Sequence, residues 1–287
     1  MKLYKKILLI VVLVLLSGCG IKKSNMDNIN IYTTTYPLNF LTRELYGEHA
    51  KIYSIYPTGI NIDEYELSDR KIDEYSKSDL FIFNSLDKDR DYAVKMINLN
   101  SNLKVIDVAT GMNFDYSIEE LWLNPNNYLM MAENIKDGLA EYIDNPYLVD
   151  EIDKKYEELE YDISKLDAHL TETIINANYN TIIVDNDVFK YLEKRGLKVI
   201  SLEENNDLTS NKIEEAEKLI SDGNVKYIYS SSNTSNNTVN TLLNKNNIDL
   251  IEINTMHKVD GGITNSNDNY LTVMTNNINL IKKELYK

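Results

Sequence analysis

The chain has 287 residues, with 45 Asp and Glu against 30 Lys and Arg and a formal net charge of −15. That balance excludes a nucleic-acid backbone as partner, because phosphate contacts need clustered Lys and Arg. A single cysteine excludes an intramolecular disulfide framework and a cysteine-based zinc site, and 43% hydrophobic residues with 21 tyrosines exclude a disordered acidic chain.

At the N-terminus, Lys2, Lys5 and Lys6 precede an apolar run from Ile7 to Leu16, followed by Ser17-Gly18-Cys19. A basic stretch before a short apolar run is a secretory signal, and the run is too short to span a bilayer. The small residues before Cys19 resemble a bacterial lipobox. Residues 1–18 then form a lipoprotein signal peptide, and the diacylated Cys19 anchors the chain through two acyl groups. Residues 19–28 serve as a polar tether. An ordinary signal peptide with an incidental cysteine is the alternative.

Strand and helix patterns then alternate. Asn30–Thr35 is rich in β-branched and aromatic residues and reads as a strand, closed by Pro37. A helix from Pro37 to Tyr46 should stop at Gly47. Lys51–Tyr56 is a strand stopped by Pro57-Thr58-Gly59, Ser68–Ser76 a helix and Leu80–Phe83 a buried strand. Asp91–Leu99 reads as a helix, Lys104–Val108 as a strand and Pro125–Tyr142 as another helix. From Pro146 to about Ala177, Leu148, Ile152, Leu159, Ile163, Leu166, Leu170 and Ile174 recur at steps of three, four or seven, with Tyr156 filling the longer step. That is one long helix with a single apolar stripe. The alternation resumes with strands at Thr181–Val184, Leu197–Leu202, Val225–Tyr229 and Ile248–Ile253. Helices are expected at Val188–Lys194, Ser210–Ser221, Thr238–Lys245 and Tyr270–Leu285.

This order predicts an α/β fold of two lobes, each a mainly parallel sheet flanked by helices, joined by one long helix. The lobes are expected at residues 29–145 and 178–287, with residues 146–177 as the link. Ligands in such folds bind beyond the carboxyl ends of the strands, here between the lobes.

Several ordered motifs carry a resemblance. They are Thr34-Thr35-Tyr36-Pro37, Tyr56-Pro57-Thr58-Gly59 with Tyr65-Glu66, and Trp122-Leu123-Asn124-Pro125 followed by Glu133-Asn134-Ile135. Phe189-Lys190-Tyr191-Leu192 with Gly196-Leu197 follows, then Tyr270-Leu271 through Met274, Asn277 and Leu280. Together they resemble the metal-binding solute-binding lipoproteins of ABC importers, of the zinc and manganese class. The resemblance implies a monomer tethered on the extracytoplasmic face of the cell membrane, partnered by permease and ATPase subunits. It also implies one divalent cation as transported ligand, no resident cofactor, and a long helix that limits lobe closure.

The family's metal-ligand positions are substituted. Three of them are histidines in the family and fall on Asp63, Glu120 and Asn186, and the acidic fourth aligns with Asn254. Oxygen donors at all four disfavour zinc and suit manganese, calcium or magnesium, with waters or carbonyls completing the shell. Three readings stay open. One is a metal receptor with an oxygen site at Asp63, Glu120, Asn186 and Asn254. Another is a receptor for a different solute, with an acidic cleft of Asp63, Glu64, Glu66, Glu119 and Glu120. The third is a surface adhesion or interaction lipoprotein without a solute.

Of the three histidines, His49 reads as a solvated turn residue and His169 as exposed on the long helix. His257, three residues after Asn254, reads as a surface side chain, with replacement of a lost ligand as the alternative. Trp122 and the tyrosines read as packing residues, and Gly261-Gly262 as a turn. No Gly-x-Ser-x-Gly elbow or His-Glu-x-x-His helix occurs, so the chain is expected to be no enzyme.

Overall fold

Runs of β-branched and aromatic residues form the strands, and a helix between successive strands of each sheet returns the chain to that sheet. A computed structural model describes residues 24–231, 236–246, 248–258 and 269–287. The expected signal, the first half of the tether (residues 19–23, including Cys19) and Gly261-Gly262 lie outside the described residues.

The first lobe runs β1 (Ile29–Thr33), α1 (Tyr36–Tyr46), β2 (Ala50–Ser54), α2 (Asp69–Tyr75), β3 (Leu80–Phe83), α3 (Asp89–Leu99) and β4 (Lys104–Asp107). It is followed by a short α4 (Glu120–Leu123) and by α5 (Pro125–Tyr142). The link is α6 (Pro146–Ile175), 30 residues long, started by Asn145, whose side chain accepts from the Tyr147 N–H. The second lobe runs β5 (Thr181–Val184), a 3-10 helix (Asp187–Arg195), β6 (Lys198–Ser201), α7 (Ser210–Ser221), β7 (Tyr227–Ser230), α8 (Asn237–Lys245), β8 (Asp249–Glu252) and α9 (Tyr270–Leu285).

Both sheets are parallel and have the same order, β2-β1-β3-β4 and β6-β5-β7-β8. Strands β3, β5 and β7 are buried on both faces, which explains unbroken runs such as Leu80–Phe83. Leu80 and Ile82 face a core that continues past α6 into the second lobe, and Phe81 and Phe83 face a separate cluster on the outer side. Likewise Ile182 and Val184 face the shared core, and Ile183 an outer cluster. The apolar stripe of α6, from Leu148 to Ile174, is buried in the shared core. The lobes are thus continuous hydrophobic structure rather than beads on a linker.

Three local features differ from expectation. The segment after β5 is a 3-10 helix, ended by Gly196 at a φ of 99°. The turn α4 was not apparent in the sequence. Gly47 does end α1, but at a φ of −63°, so left-handed geometry is not its reason. A Cβ there would lie 2.5 Å from the Arg43 carbonyl oxygen.

Candidate functional site

The loops beyond the carboxyl ends of both sheets meet between the lobes. From the first lobe come the loop after β2, carrying Asp63, and the start of α4, carrying Glu119 and Glu120. The second lobe brings Asn186 after β5 and the segment Asn254–His257 after β8.

The loop around Asp63 is shaped by a cation from α3's edge. Lys88 Nζ donates to the carbonyl oxygens of Ile62, Asp63 (3.3 Å) and Tyr65 (3.0 Å). The Asp63 N–H donates to Asn61 Oδ1 at 3.1 Å, and the Asp63 side chain is left 71% exposed at the rim. Asn61 also pairs with Lys258 in an isolated antiparallel bridge across the cleft.

On the opposite side, His257 is held by an unusual turn. Met256 has a φ of 58°, a left-handed conformation that costs a residue with a Cβ. The Met256 N–H donates to Asn254 Oδ1 at 2.8 Å, and Asn277 of α9 fixes Asn254 by accepting its N–H and donating to its carbonyl oxygen. Trp122 braces the same turn: its Nε1–H donates to Thr255 O at 2.8 Å, and its ring stacks on His257 with centroids 6.4 Å apart. Tyr270 donates to Trp122 O at 2.6 Å, and burial pushes its hydroxyl pKa well up.

His257 therefore does not lie on the surface, as the sequence suggested. Its side chain is 14% exposed, with Nε2 3.1 Å from Asp63 Oδ1 and Nδ1 3.3 Å from Glu119 Oε1. Neither approach is aligned as a hydrogen bond, and both ring nitrogens are buried without one.

The other sequence-derived positions are engaged differently. Glu120 is buried; its Oε2 accepts the Asp115 N–H at 3.1 Å and its Oε1 meets Lys194 Nζ of the 3-10 helix at 3.1 Å. Lys194 also reaches Asp115 Oδ2 at 2.6 Å, which with Glu120 raises the ammonium pKa. Asn186 caps the 3-10 helix, accepting the Val188 N–H at 3.1 Å and donating to Ser231 Oγ at 2.5 Å. Asn254 is occupied by its turn. Among the described residues, no three His, Cys, Asp or Glu side chains converge on a point that could hold an ion. Around His257 the reason is geometric, since its two carboxylate neighbours lie at different ring nitrogens. Glu64 and Glu66 are exposed, and Glu64 accepts from Asn61.

The remaining histidines also correct the sequence reading. His49 is paired with Glu151 of α6 (3.1 Å) and Asp27 (3.3 Å), so it is no free turn residue. Burial alone would lower its pKa, but the hydrogen bonds to Glu151 and Asp27 outweigh that and raise it. His169 is only partly exposed on α6. Lys194, Lys88 and Asp115 were not recognised in the sequence; a lone lysine on a polar helix face gives no sign of the lobe it will reach.

The sequence matches the family described as ZnuA, zinc-uptake complex component A, periplasmic, over residues 31–284. The zinc-binding lipoprotein AdcA of Streptococcus pneumoniae (strain ATCC BAA-255 / R6) is 23% identical over 296 residues, covering 93% of this chain and 58% of that protein. The chain thus spans less than two thirds of that relative's length. The manganese ABC transporter substrate-binding lipoprotein PsaA of Streptococcus pneumoniae is 25% identical over 189 residues, covering 60% of each chain. The solved Zn(II)-bound ZnuA-like domain of Streptococcus pneumoniae AdcA superposes with a TM-score of 0.73 at 21% identity, over 91% of this chain and all of that one. This fold likeness agrees with the two lobes, the matched sheets and the long link described above. With the family match spanning nearly the whole described chain, the protein belongs to the family described as ZnuA, zinc-uptake complex component A, periplasmic.

Proposed function

We propose that this protein is the solute-receiving lipoprotein of an ABC importer and takes a divalent cation as cargo between its lobes. The observation that carries this reading is His257, presented by one lobe to Asp63 and Glu119 of the other with its ring nitrogens buried and unbonded. A neutral imidazole beside carboxylates is a donor set for first-row transition metals. On this reading Cys19 anchors the chain on the extracytoplasmic face, and the monomer hands its cargo to a permease driven by an ATPase. The role is capture and delivery, not catalysis. Family membership and the shared fold support it.

The test is a melt of purified, chelator-stripped protein against manganese, zinc, iron(II), calcium and magnesium. A cation at a hundred times its dissociation constant adds about 2.7 kcal/mol when the unfolded chain does not bind it. For a chain of this size that is a shift of roughly 5–10 °C. A selective shift is expected with a transition metal. No shift with any cation contradicts the reading and turns the search to another solute or to a surface-interaction role.

A further inference from the structure

Resting on the reading of Cys19 as a lipid anchor, we infer that the base of the first lobe, the side away from the cleft, is the face held against the bilayer. What holds it there is a leash of only five residues. Residues 24–28, expected as the second half of a loose tether, are instead a strap seated on the lobe. Ser24 forms a parallel bridge with Ile143: its N–H donates to Tyr142 O at 2.8 Å, and its carbonyl accepts the Asp144 N–H at 3.2 Å. Met26 is buried in the shared core, and its carbonyl accepts the Tyr46 hydroxyl. The Asn28 N–H donates to His49 O at 2.8 Å, and Asp27 meets the His49 ring at 3.3 Å. Met26 and Asn28 hold positive φ values of 34° and 62°, a cost that persists only where the surroundings dictate the backbone. From Cys19 to Ser24 the chain then spans at most about 18 Å.

The strap leaves the lobe at its base. Asn28 and His49 immediately precede β1 and β2, and the Tyr142 hydroxyl donates to Val105 O near the start of β4 at 3.0 Å. These are the amino ends of the strands, whereas the cleft lies beyond their carboxyl ends. The five residues of β1 alone place about 17 Å between the two ends, before the loops on either side are added. Turning the cleft toward the bilayer needs a leash about as long as the lobe is deep, about 35 Å for a unit of this size. While the strap stays seated, the leash is half that.

The surface beside the exit fits this placement. Tyr147, in the first turn of α6 and four residues after Ile143, is 84% exposed, more than any other large hydrophobic residue among those described. A tyrosine, apolar in body and polar at its tip, suits the headgroup layer. Glu48, Glu141 and Asp144 are exposed on the same base beside Lys51, so no basic patch draws it onto anionic lipid. The leash, not charge, sets the orientation.

The test is energy transfer from a fluorophore on the acylated full chain to acceptor-labelled lipid in phosphatidylcholine vesicles. The sole native cysteine is blocked by acylation, so Ser101→Cys, at the base before β4, and Thr58→Cys, in the loop after β2, each give one labelling site on an exposed loop. The probe at position 101 should be quenched at least about twofold more than the probe at position 58. Inserting about 15 Gly and Ser residues between Lys23 and Ser24 should bring the two to equal quenching, because a flexible linker of that length spans the lobe. Cys19→Ser should stay off vesicles, with or without phosphatidylglycerol. Equal quenching in the parent, stronger quenching at position 58, or a difference that survives the insertion overturns the inference and leaves the anchor reading standing. Vesicle binding by Cys19→Ser overturns it too, since the surface would then hold the bilayer by itself. A parent chain recovered from bacterial membranes without acyl groups on Cys19 removes the anchor reading, and the inference with it.

Discussion

The start of α4 sets two carboxylates side by side, and the second lobe answers each with a different group. Glu120 is buried, its charge met by Lys194 and by a backbone N–H, so nothing is left for a ligand to satisfy. Glu119 faces the imidazole of His257, whose nitrogens have no aligned partner. One side of the cleft is a finished ion pair. The other is an unfinished one, and an unfinished buried polar contact is where a ligand can gain most. Sequence position alone would have assigned these roles the other way round, because Glu120 holds the family's slot.

The largest expected effect breaks the wall common to both sides. Trp122 is almost fully buried, braces the His257 turn and accepts from Tyr270. Trp122→Ala should cost about 3–5 kcal/mol in denaturant unfolding. A loss under about 1 kcal/mol would show that the lobes do not depend on it.

A pH series sharpens the comparison, because each lobe also buries an acid. Burial raises Asp89 to about 6, against a hydrogen bond from Tyr56 OH at 2.6 Å, and burial raises Asp185 to about 6 as well. A carboxyl with a raised folded pKa binds more protons in the folded than in the unfolded state between its two pKa values. Stability therefore falls as pH climbs from about 4 to 6. Asp89→Asn should flatten that window and raise stability at pH 7 by about 2 kcal/mol, measured by urea unfolding. An unchanged pH profile contradicts the assignment.

The finished pair can be opened directly. Lys194→Met strands Glu120 without its cation, and because Lys194 is 52% exposed the cost should be about 1–2 kcal/mol rather than that of a fully buried pair. The double variant with Glu120→Gln should recover most of it, and an equal loss in the double variant would mean that the pair is not coupled.

His49 gives the smallest effect. Its raised pKa contributes stability that is present at acid pH and lost as pH rises through the folded value, above about 6.5. His49→Gln should remove roughly 0.5 kcal/mol at pH 5.5 and less at pH 8. Equal losses at both would separate it from the carboxylates of Asp27 and Glu151.

The fold was legible in the sequence because its signals are periodic. The stripe from Leu148 to Ile174 marked α6, and runs such as Leu80–Phe83 marked strands buried on both faces. The 3-10 geometry after β5 and the single turn α4 lack such a period. The site was legible only in outline. Asp63 and the acids around it were named, but the direction of His257 depends on a left-handed Met256 and on Asn277, 23 residues beyond Asn254. Lys194 meets Glu120 across 74 residues. Such contacts arise from the packing of two lobes, which no local pattern encodes.

The most direct measurement is an anomalous-difference map from crystals of the chelator-stripped protein soaked in zinc, collected at the zinc edge. The account predicts one peak between the lobes, about 2.0–2.2 Å from His257 Nε2 and from an Asp63 carboxylate oxygen, with Lys194 still on Glu120. A peak coordinated by Glu120, Asn186 and Asn254, or no peak in the cleft, would contradict it.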